Sequence, residues 1–192
     1  MLRHLFISKV RVKLLEEFFS HPREMFYGRQ LARKTGEQIN AVRRELQNLQ
    51  KGRVLRSEKR GNRIYYFLNS HYSFYDPLMA MIAKRTGLGG QIIKYKSRLG
   101  KIRTVFFSQR FVERLSKRGS EEIDIFIIGR VVLPELAALV RKEEKERGEE
   151  INYTVMDEKE FRFRLNGRDP FLIKVLIQPK FMILGSEKQL VE

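Results

Sequence analysis

Asn40, Arg43, Arg44 and Gln47 carry the side chains that read base edges. Arginine matches guanine O6 and N7, and asparagine or glutamine matches adenine N6 and N7. Lys59, Arg60 and Arg63 crowd around Gly61-Asn62, a placement suited to phosphate or to the minor groove. Arg29, Gln38 and Asn62 complete the candidate DNA-binding set.

Other chemistries fall away. With no cysteine, disulfides, thiolate zinc sites, iron–sulfur ligation and cysteine nucleophiles are excluded. Their absence fits a reducing compartment, and a cytoplasmic location is expected. The three histidines, His4, His21 and His71, have no metal-ligand spacing. No apolar run reaches membrane-spanning length, and residues 1–10 lack the apolar core and cleavage site of a signal peptide. The net charge of +16 attracts polyanions, and nucleic acid, ribosomal RNA or an anionic membrane surface all qualify at this point. A solvated, heat-adapted surface is the bland alternative. The charge is uneven: residues 1–86 hold 18 basic and 7 acidic side chains, residues 87–192 hold 21 and 16. That asymmetry suggests a division of labour.

The first half supplies elements to carry the basic set. Val10, Val12, Leu14, Leu15, Phe18 and Phe19 predict a helix over about 7–20, stopped by His21-Pro22. A second helix is expected over about 28–35, with Leu31 and Ala32 inward and Gly36 as its stop. Val42, Leu46 and Leu49 mark the core stripe of a third, over about 39–51, with the base-reading side chains opposite. Two short helices joined by a glycine turn are a helix-turn-helix pattern. Residues 54–59 and 63–68 then read as strands of a hairpin turning at Arg60-Gly61-Asn62. A helix over 71–86, capped by Asp76 with Pro77 in its first turn, carries an apolar strip of Met79, Met81 and Ile82 for interdomain packing or a dimer contact. Gly87-Leu88-Gly89-Gly90 lacks the strand and Lys-Ser/Thr of a phosphate loop and reads as a linker.

Phe26-Tyr27-Gly28-Arg29-Gln30-Leu31-Ala32, Val42 through Leu49, and Gly61 through Tyr66 together resemble the winged helix-turn-helix of compact prokaryotic transcriptional regulators. The resemblance covers about residues 5–70. It implies a third helix in the major groove and a wing on the backbone. Members of that class that sense metals often use cysteine and histidine clusters, which this chain lacks. Contact with protein or RNA through the same surface stays open.

The second half alternates strands and helices, an α/β unit. Strands are expected at 102–107, 123–129, 151–156 and 181–184. Helices are expected at 133–147, from Asp157 with Glu160 as a capping box, and from Asp169-Pro170 to Ile177. In the 133–147 helix, Leu136, Leu139 and Val140 read as inward, and Glu143 through Arg147 as outward.

This order, with the stretches Glu149 to Tyr153, Glu160-Phe161, Asp169 to Leu172 and Lys180 to Gly185, resembles the minimal polymerase-beta-like nucleotidyltransferase domain over about residues 90–185. That family presents Gly-Ser after its first strand, Asp-x-Asp on the second and a further carboxylate later. Its carboxylates bridge two magnesium ions that activate the attacking oxygen and neutralise the triphosphate. Here the glycine position is Phe107, the serine is Ser108, Asp-x-Asp is Glu122-Ile123-Asp124, and the later acid is Asn152. Gly119-Ser120 directly precedes the acidic pair and does not restore the motif. The resemblance therefore implies a degenerate transferase, with Ser108, Glu122 and Asp124 as remnants, no catalytic set, no cofactor, and at most weak magnesium binding at Glu122 and Asp124.

The fold class expected is α+β in two domains: a winged helix-turn-helix over 1–70, a connecting helix and glycine linker over 71–90, and a nucleotidyltransferase-like domain with a small mixed sheet over 91–192. The function expected is DNA-binding regulation by a homodimer on double-stranded DNA. The second half would serve dimerisation, an effector or a protein partner. An active transferase and a toxin–antitoxin-type partner protein are the alternatives.

Overall fold

The computed structural model describes residues 8–115 and 122–190. His4 and the Gly119-Ser120 pair lie outside them. The chain divides into two compact units, Met1–Ile82 and Ala83–Glu192.

The first unit opens with α1 (Lys9–Ser20), whose start is capped by Ser8: its Oγ accepts the Arg11 N–H at 3.2 Å. Val12, Leu14, Leu15, Phe18 and Phe19 are buried, the face that the apolar spacing marks. Then come β1 (Phe26–Tyr27), α2 (Gly28–Thr35) and α3 (Ile39–Lys51). Gly36 ends α2 in the left-handed region at φ 66°, a conformation that costs glycine little. β2 (Leu55–Arg60) and β3 (Arg63–Leu68) pair antiparallel, Arg60 opposite Arg63, with Gly61 at φ 55° in the turn. β3 also pairs with β1, so the sheet order is β1-β3-β2. This helix–strand–helix–helix–hairpin order is that of a winged helix-turn-helix. The two-residue strand β1 is an element the sequence reading lacks.

α4 (Tyr75–Ala83) is shorter than the 71–86 expected. Asp76 is not its cap: it lies inside the first turn, where the Leu78 N–H already bonds to the Phe74 carbonyl at 3.0 Å.

The second unit begins where a linker is expected, and the glycines form a helix instead, α5 (Gly87–Lys94), with Leu88, Gly89 and Ile92 buried. Close approach explains them. A Cβ on Gly89 would collide with the Ala83 carbonyl oxygen and sit 3.3 Å from the Phe107 ring, so glycine is required by packing rather than by flexibility. A four-residue turn, α6 (Lys96–Leu99), leads to β4 (Gly100–Ser108) and another short turn, α7 (Gln109–Val112). There follow β5 (Ile125–Val131), α8 (Leu133–Arg147), β6 (Tyr153–Met156), α9 (Glu158–Asn166), α10 (Pro170–Ile177) and β7 (Lys180–Leu184), then a 3₁₀ turn, Glu187–Leu190.

The sheet order is β6-β5-β4-β7, with β5 and β6 parallel and the other pairs antiparallel: a small mixed α/β sheet. β5 is buried along Ile125–Gly129, as a central strand should be. On one face Phe106 and Phe126 stack at 5.2 Å and pack with Met156, Phe161, Leu172 and Val175. On the other, Phe107 meets Phe111 edge-on at 5.2 Å. Asp157 caps α9 by accepting the Lys159 and Glu160 N–H groups, and Asp169 caps α10 through the Leu172 N–H. In α8, Glu143 and Arg147 point inward, against the outward expectation. Arg147 Nε donates to Glu143 Oε1 at 2.7 Å, and the guanidinium lies 3.8 Å from the Phe111 ring centroid. A buried charge is tolerated when paired and hydrogen-bonded. Among the described residues no helix is long and apolar enough to cross a membrane.

Candidate nucleic-acid interface

α3 is held by its apolar stripe and by one ion pair. Val42, Leu46 and Leu49 are buried, and so is Glu45. Glu45 Oε2 accepts from Arg11 Nε of α1 at 2.9 Å. Burial pushes the Glu45 carboxyl up, but hydrogen bonds from Ser8, Arg11 and Asn48 and the Arg11 charge outweigh it and leave it below its usual range. With that face committed, Asn40, Arg43, Arg44 and Gln47 are all exposed.

Between α2, α3 and the hairpin runs a groove of about 890 Å³. Four guanidiniums line it: Arg29 and Arg33 from α2, Arg43 from α3 and Arg63 from β3. Gln47 and Asn62 add amides, and Tyr27, Ile64 and Tyr66 add apolar surface. Among the described residues no carboxylate lines this groove. Four like charges without an internal counterion favour an anion there.

The groove thus gathers Arg29, Arg43, Gln47, Asn62 and Arg63 from the expected set. Gln38, Asn40, Arg44, Lys59 and Arg60 lie outside its lining. Asn40 and Arg44 remain on the exposed face of α3, and Lys59 is exposed on the hairpin. Arg60 is engaged by its neighbour: Nε and Nη2 donate to Glu58 Oε1 and Oε2 at 3.0 and 3.3 Å. Those bonds and the Arg60 charge hold Glu58 below the usual carboxylate range.

Arg33 is the lining cation absent from the expected set, and Tyr27, Ile64 and Tyr66 are absent from it too. Arg33 follows Arg29 by four positions, so both fall on one face of α2, a signal available in the sequence. Arg33 Nη2 donates to the Tyr27 hydroxyl at 3.1 Å, and the Arg63 guanidinium lies 4.8 Å from the centroid of the same ring. Tyr27 is set by the β1–β3 pairing, which puts it opposite Tyr65, the two rings edge-to-face at 5.7 Å.

The second unit brings together Ser108, Glu122 and Asp124, the residues expected as transferase remnants, but each is engaged. Ser108 is buried and caps α7, its Oγ accepting the Phe111 N–H at 3.2 Å. Arg110 ion-pairs with both acids: Nε lies 2.8 Å from Glu122 Oε2, and Nη2 donates to Asp124 Oδ1. Asp124 Oδ2 accepts the Asn152 N–H at 2.9 Å, and Asn152 Nδ2 donates to the Glu122 carbonyl at 3.1 Å. Phe107 is core. Among the described residues no group of three or more histidines or acids is placed to hold a metal ion.

No family model and no curated protein matches the chain. A solved structure titled reduced HlyU, from Vibrio cholerae N16961, is similar over 44% of this chain and 82% of its own, at 17% identity and a TM-score of 0.34. So loose a superposition does not establish a family for this chain.

Proposed function

We propose that the chain is a DNA-binding transcriptional regulator of the cytoplasm. α3 enters the major groove, Arg43, Arg44 and Gln47 meet base edges, and the hairpin rides the adjacent backbone. The observation that carries this reading is the groove of four arginines without a carboxylate, bordered by the exposed polar face of α3. A dimer pairing two half-sites raises specificity, so a homodimer is the expected form.

The second unit acts as a non-catalytic module that joins two copies or takes an effector or partner. The Arg110 pairing supports this. Glu122 and Asp124 already share a guanidinium, and two acids so neutralised are a poor donor set for a divalent cation, which prefers several charged oxygens. The same geometry weighs against the active-transferase reading, whose chemistry depends on free carboxylates at that position.

Selection of duplexes from a random library by the full chain tests the reading. Enrichment of a defined sequence is the expected outcome. Recovery of unenriched DNA, or of none, contradicts it.

A further inference from the structure

We infer that Arg33 and Arg63, ordered by the Tyr27 ring, form a clamp for a single backbone phosphate, with Tyr27 as its positioning residue. This rests on the DNA-binding reading and deepens it. The two guanidiniums come from different elements, α2 and β3, and meet on one phenol: Arg33 at its hydroxyl at 3.1 Å, Arg63 over its ring at 4.8 Å. Neither has a carboxylate partner in the groove, unlike Arg60, which Glu58 engages from the same hairpin. Like charges repel, so two neighbouring guanidiniums without a counterion are best satisfied by an anion between them. A phosphodiester offers two free oxygens and suits arginine geometry. Tyr27 supplies what this needs: a fixed ring in the sheet, a hydroxyl that accepts from one cation and a π face that attracts the other.

The test uses the full chain and a duplex enriched by the wild type. Arg33→Gln and Arg63→Gln are expected to weaken binding about tenfold each, as loss of a charged hydrogen bond does. A shared phosphate makes the pair non-additive. The double variant then lowers the slope of log affinity against log salt by about 0.9 per half-site, where two separate phosphates would give about 1.8 per half-site. Methylphosphonate placed at each phosphate in turn locates the contact. One position per half-site should weaken the wild type most, each single variant less, and the double variant not at all. Tyr27→Phe keeps the ring under Arg63 and removes the hydroxyl from Arg33. It should weaken wild-type binding but add little to Arg33→Gln. Sensitivity lost at different positions for the two arginines, a slope change of about 1.8 per half-site, or full additivity of Tyr27→Phe with Arg33→Gln each overturns the clamp while leaving DNA binding intact. A wild type that enriches no duplex overturns the clamp together with the reading beneath it.

Discussion

Replacing Arg110 by methionine separates a structural role for Glu122 and Asp124 from a catalytic one. The Asp124 side chain is 1% exposed and that of Arg110 14%, so the variant leaves a buried carboxylate without its guanidinium. Breaking a buried pair from one side costs about 3–5 kcal/mol. Glu122, at 30% exposure, adds little, as exposed pairs are worth at most about 1 kcal/mol. The total is a large share of a domain's usual stability of about 5–15 kcal/mol. Adding Asp124→Asn removes the stranded charge and keeps an oxygen for the Asn152 N–H, so the double variant should regain more than about 1 kcal/mol over Arg110→Met alone. Hydrogen exchange of the β5 amides in the full chain reports the second unit by itself. A loss below about 1 kcal/mol in Arg110→Met, or a double variant less stable than the single one, would contradict a structural role for the Arg110 pairing. Where the second unit stays folded, DNA affinity should be unchanged, because none of these residues belongs to the groove.

Arg43→Ala should lose about 1–3 kcal/mol on an enriched duplex and less on random DNA; equal losses on both would make Arg43 a phosphate contact. Glu45, whose carboxyl is held below its ordinary range, stabilises the fold above the unfolded glutamate value near 4.3 and loses that contribution as pH falls through its folded value. The stability gap between wild type and Glu45→Gln should therefore shrink on acidification, as followed by urea unfolding; a gap that is constant down to about pH 3 contradicts the Arg11 pairing. Gly89→Ala should destabilise the second unit by about 1–3 kcal/mol through overpacking. A flexible linker would instead tolerate or gain from alanine, so an unchanged exchange profile would count against the close contact with Ala83.

Strongly periodic or capped segments were legible in the sequence. The stripe Val42, Leu46, Leu49 fixes α3, and Asp157 and Asp169 mark the starts of α9 and α10 as their capping chemistry predicts. The misses have local causes. β1 spans two residues, too few for any alternation to register. The glycines of α5 imitate a linker because glycine serves both flexibility and close approach, and only the Ala83 carbonyl beside Gly89 tells them apart. Glu143 and Arg147 read as surface charges because each is the other's partner on one helix, and Glu45 drew no reading because its partner Arg11 lies 34 residues away. Of the candidate site, the groove contains half of the expected residues, and Arg33 was overlooked although its spacing from Arg29 is helical. Arg110 was invisible for a different reason. A pattern of acids suggests a metal, and nothing in the pattern says that an internal guanidinium already sits between them.

DNA sequence is to be read by α3 and the basic groove beside it. The direct measurement is the affinity of the full chain for an enriched duplex relative to a random one, at near-physiological salt. A sequence-reading α3 gives a ratio of at least about 10³, with both affinities falling steeply as salt rises. A ratio near one would contradict it.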